Sequence, residues 1–456
     1  MIYFIKAVRC RKGLEKCVKK INEKKNHAKL EIVLFCGSIF IVYFFWSMLW
    51  AFDNAPDEQG RYAVAKFIFQ NHKLPYGNEE EIRVSIWGFS YAFQPYLSYI
   101  ISAFFMQLVS CFTNLEYWYI VAARFTNVLL GTTEAFFVFK LGEEIFEEKY
   151  EKWLFVLSII LLPQNMFMFI YVNTDGMALT ATAMIVYAWV RGLKYGWNRK
   201  NCFLLSVGVS LCLLSYYNAY GYVLTTMLIL FIGWIKNPDE IHFKTLFIVV
   251  SEIFIMAGWW FIRSFIIYNG DFLGLKTRNY YAQLYAAEHL KPLTAHTYKN
   301  ANLSVFYMLK NTNYVKDMWI SFIGKFGNMS ENIPVWIYFF VSFVIIGGII
   351  GSVRFFKRKK EIYLLLCLLV NIMIPIVLAT YSAWSRDYQA QGRYVLPILI
   401  PLMIIVNLGL KEHIHNKKIY GYLISLYALE FVCFYLNNVV LTRAKIFFQF
   451  IPSLLQ

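Results

Sequence analysis

Long apolar runs broken by short polar segments set the pattern of this chain. The runs reach roughly 20 residues, enough for each to cross a bilayer core of about 30 Å as a helix. The predicted spans are Leu30–Trp50, Tyr117–Lys140, Lys152–Ile170, Asp175–Val190, Cys202–Ser215, Tyr217–Ile235, Leu246–Ile267, Pro334–Val353, Glu361–Thr380, Tyr394–Leu410 and Lys418–Val439. The chain therefore reads as an all-α polytopic membrane protein with about eleven transmembrane helices. Leu30–Trp50 exceeds the apolar region of a signal peptide and no small-residue cleavage site follows, so it is expected to be a retained first span.

One further apolar run, Phe93 to Cys111, is also long enough to cross, and charge decides its place. Lys and Arg cluster in Lys6–Lys29, Arg191–Lys200, Arg354–Lys360 and Lys411–Lys418. Short basic loops of this kind mark the cytoplasmic side. An even number of crossings must then separate the N-terminus from Arg191–Lys200, and counting the Phe93 run makes the number odd. Pro95 opens that run, Gln107 interrupts it, and Ser98, Ser102 and Ser110 dot it. It is expected to lie on, or dip partly into, the outer leaflet.

The resulting organisation is a basic cytoplasmic N-terminus (1–29), a membrane module (30–268) with a first outer loop (52–116) carrying interfacial helices, a large outer loop (269–333), and C-terminal spans and tail (334–456). The expected location is the plasma membrane, with the N-terminus inside.

Composition agrees. Hydrophobic residues make up 59% of the chain and charged residues only 16%, against about 25% charged in soluble domains. The net charge of +16 suggests nucleic acid, but the cations are spread over separate loops rather than gathered on one face, so no nucleic-acid partner is expected. The eight cysteines form no CxxC or Cys/His cluster, the histidines show no ligand spacing, and no Gly-rich phosphate loop is present. Neither a metal site nor a cofactor is predicted.

Candidate chemistry collects at the outer ends of spans. Asp57 and Glu58 open a helical stretch just after the first span. Acids there stabilise a helix start, and at a membrane surface one of them can take a proton from an attacking hydroxyl. Asp175, in Asn173-Thr174-Asp175-Gly176, falls in a short outer turn, where Asn, Asp and Gly are ordinary turn residues. Arg393 sits just before a span at the outer end, against the positive-inside bias, and its guanidinium fork suits a lipid phosphate. Arg386 and Arg263 are placed to assist. Arg124 and Glu134 fall within a predicted span, where they must pair or face a polar interior.

Five elements in order resemble the bacterial GT-C glycosyltransferases. They are the Asp57-Glu58 pair, the Asn173-x-Asp175 turn, Trp259-Trp260-Phe261-Ile262-Arg263 followed by Tyr268-Asn269-Gly270-Asp271, Lys325-Phe326-Gly327, and Gln391-Gly392-Arg393-Tyr394-Val395-Leu396-Pro397. The likeness extends from Leu30 to about Val440 and points to a branch related to the protein O-mannosyltransferases and the aminoarabinose transferases. It implies a GT-C fold and a polyprenyl-phosphate sugar as donor. The acceptor would be a hydroxyl on a cell-envelope glycan, a glycolipid or a protein. It further implies Asp57 as general base with Glu58 beside it, Asp175 as a second acid, and a donor-phosphate contact from Arg393; Arg386, Arg263, Arg61 and Tyr394 are further candidates for binding the substrate or its lipid phosphate. Relatives often carry His at the position of Arg61, and Tyr216-Tyr217-Asn218 stands where a Lys is common. A lipid-phosphate donor already has a good leaving group, so the implied mechanism requires no divalent metal. A polytopic transporter and a polysaccharide polymerase or ligase are the competing readings.

Overall fold

The computed structural model describes residues 28–236, 243–358 and 362–441. The basic N-terminal segment up to residue 27 and the tail beyond 441 lie outside the described residues. In chain order the helices are α1 (Ala28–Leu49), α2 (Glu58–Asn71), α3 (Leu97–Ser110), α4 (Glu116–Ile145), α5 (Lys149–Ile160), α6 (Pro163–Phe167), α7 (Asp175–Tyr195), α8 (Arg199–Leu213) and α9 (Gly221–Lys236). They continue with α10 (Phe243–Ile267), α11 (Leu275–Tyr285), α12 (Val305–Asn311), α13 (Tyr314–Gly324), α14 (Val335–Arg358), α15 (Ile362–Ser385), α16 (Leu399–His413) and α17 (Lys417–Phe434). A short hairpin of two two-residue strands, β1 (Lys325–Phe326) and β2 (Glu331–Asn332), is the only sheet among the described residues.

Eight of the described helices are long and apolar enough to cross a membrane. Helices also occupy the other three predicted spans. Tyr117–Lys140 lies within the 30-residue α4, and Cys202–Ser215 falls on the 15-residue α8. Lys152–Ile170 is not one helix. It breaks into α5 and the five-residue α6. Pro163 at the start of α6 has no N–H to give and pushes Leu162 out of helical conformation. The Asn165 amide then donates to the Ile159 carbonyl at 3.3 Å and the Glu134 carboxylate at 2.9 Å, supplying partners at the corner.

The run from Phe93 forms α3, whose 14 residues rise only about 21 Å at 1.5 Å each. It lies along α4, with Ser102 Oγ donating to the Ala123 carbonyl at 2.8 Å. Arg124 of α4 reaches the last carbonyls of α1, donating to Ser47 at 2.7 Å and Trp50 at 2.7 Å. Residues 52–115 thus leave and rejoin the bundle at the same end.

The helices pack through small residues, as helices must where lipid offers no hydrophobic drive between them. The contact of α14 with α16 is the tightest: a Cβ on Gly409 would meet the Gly348 carbonyl oxygen at 1.9 Å. Around the first span, Tyr43, Trp46 and Trp50 join Phe167, Phe169 and Phe326 in one aromatic core. The hairpin is stitched onto that end. Lys325 N donates to Gln164 Oε1 at 2.9 Å, Asn54 Nδ2 to Glu331 Oε1 at 3.1 Å, and Asn328 Nδ2 to the Asp53 carbonyl at 3.0 Å.

Candidate active site

Asp57 caps the start of α2 in the left-handed region, at φ 64°, a conformation costly for a residue with a side chain. That backbone turn sends neighbouring acids in different directions. Asp57 Oδ2 accepts from Arg393 Nη2 at 2.5 Å and lies 3.6 Å from Arg61 Nη2, one helical turn on. Arg61 Nη1 in turn donates to Asp175 Oδ2 at 2.8 Å. The result is a row of alternating charge, Arg393, Asp57, Arg61, Asp175, drawn from three distant parts of the chain. Arg61 and Arg393 are sealed, at 3% exposure each, whereas the Asp57 side chain keeps 21%.

Tyrosines wall the row. Arg61 lies over the Tyr91 ring at 5.3 Å, and Arg393 over Tyr394 at 4.9 Å. Tyr394 stacks on Tyr216, ring centroids 6.4 Å apart. Tyr394 Oη accepts from Arg393 at 3.1 Å and donates to Gln389. Gly392 makes this loop possible. A Cβ there would meet the Phe322 backbone nitrogen at 2.0 Å, and its own N–H donates to Ser321 Oγ at 2.6 Å.

Electrostatics follow from the pairing. Burial pushes the Asp57 carboxyl up, but the Arg393 and Arg61 guanidiniums, with a Tyr91 hydrogen bond, outweigh it and hold the group at about 2. It is ionised throughout the physiological range, and more firmly than an acid at an open interface. Asp175 Oδ1, Arg61 Nε and Arg393 Nε are buried without hydrogen-bond partners, so the row has polar capacity to spare.

Glu58 departs from the role its sequence position suggests. It is fully buried and turned away from Asp57's partners. Arg124 binds both its oxygens, Nε to Oε1 and Nη2 to Oε2, each at 2.7 Å. Val172 N donates at 3.2 Å and Asp53 N at 3.1 Å. Four hydrogen bonds, two of them from a guanidinium, fill the carboxylate. Glu58 clasps α2 to α4, to the end of α1 and to the turn before α7.

Two other sequence candidates make no hydrogen bond or ion pair with the row. Arg263 donates to the Pro75 carbonyl at 2.6 Å among Tyr76, Tyr96 and Trp260, bracing the first outer loop. Arg386 is exposed at the end of α15. Arg124 pairs with Glu58 rather than with Glu134, which accepts from Asn165 instead. Among the described residues no group of three His, Cys, Asp or Glu is placed to hold a metal ion.

A helical bundle with eight helices long and apolar enough to cross a membrane, and a buried charge row at one of its ends, defines a multi-pass membrane protein, and its likeness to the solved structures named below gives it the GT-C fold. The chain belongs to the family described as predicted membrane protein (DUF2142), whose model matches residues 65–403. Among solved structures it is similar to ArnT from Cupriavidus metallidurans in the apo state, at a TM-score of 0.53 and 13% identity. That match covers 87% of this chain and 62% of ArnT. It is also similar to the archaeal oligosaccharyltransferase AglB from Archaeoglobus fulgidus in complex with an inhibitory peptide and a dolichol-phosphate, at a TM-score of 0.50 and 12% identity. The apo form of the Archaeoglobus fulgidus oligosaccharyltransferase gives 0.51 and 11%. Each oligosaccharyltransferase match covers 87% of this chain and 54% of the other. The chain thus spans less than two thirds of the length of these proteins. No curated protein matches it by sequence.

Proposed function

We propose that this protein is a glycosyltransferase that moves a sugar from a polyprenyl-phosphate donor to a hydroxyl acceptor, at the extracytoplasmic face of the plasma membrane. The observation that carries the reading is Asp57: an ionised carboxylate, the one acid of the row open to solvent, fixed by two guanidiniums at the mouth of a membrane bundle. The AglB structure, with its bound dolichol-phosphate, gives a precedent for a lipid phosphate on this fold.

In the proposed reaction the acceptor oxygen attacks the anomeric carbon and gives its proton to Asp57. The bond from that carbon to the phosphate oxygen breaks, its electron pair leaves with the lipid phosphate, and the configuration inverts. A carboxylate held at about 2 is a weak base, so its role depends on position and on relaxation of its ion pairs as the donor phosphate draws on the same cations. Arg393 orients Asp57 and lends charge to the departing phosphate. Asp175 keeps Arg61 in line, and Tyr394 fixes the Arg393 fork. Glu58 holds the frame on which Asp57 stands.

The test is sugar transfer from a radiolabelled polyprenyl-phosphate sugar by the purified full chain in nanodiscs. Asp57→Asn should fold normally and lose roughly 100-fold or more of the rate. Undiminished transfer would remove Asp57 from the reaction.

A further inference from the structure

The row Arg393, Asp57, Arg61, Asp175 balances its own charge, two cations against two carboxylates. Net positive charge to attract a phosphate must therefore come from cations the row has not already neutralised. Arg278 of α11 and Arg386 at the end of α15 are of that kind. Among the described residues, no carboxylate lies within ion-pair distance of either. The polar partner of the Arg278 guanidinium is the neighbouring Asn279 side chain, at 3.4 Å. The nearby acids are occupied: Asp271 accepts from Thr277 N at 2.8 Å and Thr277 Oγ1 at 3.0 Å, and Asp387 accepts from Gln389.

The fold brings Arg278 to the row, and Arg386 opens the loop whose Gln389 accepts from Tyr394 Oη. Tyr217 Oη donates to the Leu273 carbonyl at 2.6 Å, holding the foot of α11 against the Tyr216–Tyr217 turn. On its other side α11 packs on the first outer loop, with Tyr281 stacked on Phe93 at 5.4 Å and Ala287 N donating to the Ile86 carbonyl at 3.1 Å. Arg278 lies over Phe89 at 5.2 Å, Phe89 touches Tyr91 at 6.0 Å, and the Tyr91 ring carries Arg61 on its face. Tyr216 is within electrostatic range of Arg278 on one side and of Arg393 and Arg61 on the other. Burial, and then the charge of Arg386 close by, lower the pKa of Arg278. Two like charges kept together without an acid between them are poised for an anion.

Resting on the glycosyl-transfer reading above, we infer that Arg278 and Arg386 form a phosphate subsite beside the row, seating the phosphate of the lipid-linked donor before Arg393 divides its charge between Asp57 and the departing group. An inorganic phosphate has the same chemistry as the lipid headgroup. The lipid is favoured because exposed Phe265, Ile266 and Phe272 lead from the foot of α11 onto the outer face of α10, an apolar path for a prenyl chain.

The experiment titrates the full-length protein in nanodiscs with a polyprenyl monophosphate, with the matching polyprenol, and with inorganic phosphate. Wild type should bind the lipid phosphate at least tenfold more tightly than the polyprenol. Arg278→Gln and Arg386→Gln should each weaken lipid-phosphate binding by about tenfold, and together by about 100-fold, one charge-assisted contact apiece. Polyprenol binding should not change. Arg386→Glu, at an exposed position that leaves the fold intact, should abolish the preference for the phosphate. Full binding by the double variant would overturn the subsite and leave the transferase reading standing. A wild type that does not distinguish lipid phosphate from polyprenol would sink that reading itself. Loss of inorganic phosphate binding alone, with the lipid still bound, would also overturn the assignment to the donor.

Discussion

Arg393 Nη2 donates to Asp57 Oδ2 at 2.5 Å, joining the first residue after the opening span's loop to the turn that precedes α16. Arg393 is the strongest partner of Asp57, and Asp57 is the carboxylate paired with Arg393, so neither has a role that can be removed alone.

That coupling predicts non-additive losses. Asp57→Asn and Arg393→Gln should each cut transfer by roughly 100-fold, and the double variant should fall no lower than the worse single one. Rates from steady-state assays of all four proteins complete the cycle. Multiplying losses would show two independent contributions.

Glu58 should behave unlike its neighbour. Glu58→Ala strands Arg124 in the interior without its charge partner, a loss of about 3–5 kcal/mol for a buried pair broken on one side. Thermal unfolding in detergent should show the drop. Glu58→Gln, which keeps the shape, should keep a rate in the folded fraction well above that of Asp57→Asn.

The Asp57 carboxyl is held at about 2 when folded, against about 3.9 in an unfolded chain. A depressed carboxylate stabilises the fold above its unfolded pKa and loses that contribution as pH falls through its folded one. The stability gap between wild type and Asp57→Asn should thus be constant from pH 7 to about 4 and shrink toward pH 2, by an amount on the order of 2 kcal/mol. A gap that already closes between pH 7 and 5 would mean the carboxyl is not held by Arg393 and Arg61.

Gly392→Ala tests the loop that carries Arg393. The added methyl would overlap the Phe322 backbone, and backbone cannot swing aside. Transfer should fall more than about tenfold with little change at distant sites, since an ångström of misplacement is enough for that.

Cys111 is exposed and free at the end of α3. In a variant whose other cysteines are replaced, a membrane-impermeant maleimide added outside intact cells should label it. Labelling only after the cells are opened would reverse the proposed orientation.

Much of this was legible from the chain. Asp57, Asp175 and Arg393 stood out because charge at the rim of an apolar run is expensive, and the parity of basic loops assigns them to one end of the bundle. Their pairing was not legible, since Arg61 to Asp175 and Arg393 to Asp57 bridge 114 and 336 residues, a separation on which local periodicity is silent. Glu58 and Asp57 looked like one unit because they are adjacent, yet the positive φ of Asp57 parts them. The partner of Arg124 was not legible either: Glu134, ten residues along the same helix, is about 15 Å away and out of ion-pair reach, and the carboxylate it finds is Glu58 on another helix. Pro163, which breaks a predicted span, was in plain sight. Arg278 carried no signal, being one cation in an ordinary polar stretch, and its meaning lies wholly in the acids that are not beside it.

The hairpin at the end of the large loop has a mechanical consequence. Its bonds to Gln164, Asp53 and Asn54 rivet it to the bundle, and Phe326 is wedged among the tryptophans of the first span. That end of the loop cannot swing like a door. Whatever room an incoming acceptor requires must come from flexing upstream of the rivet, so the entrance opens from the side and never from the hinge.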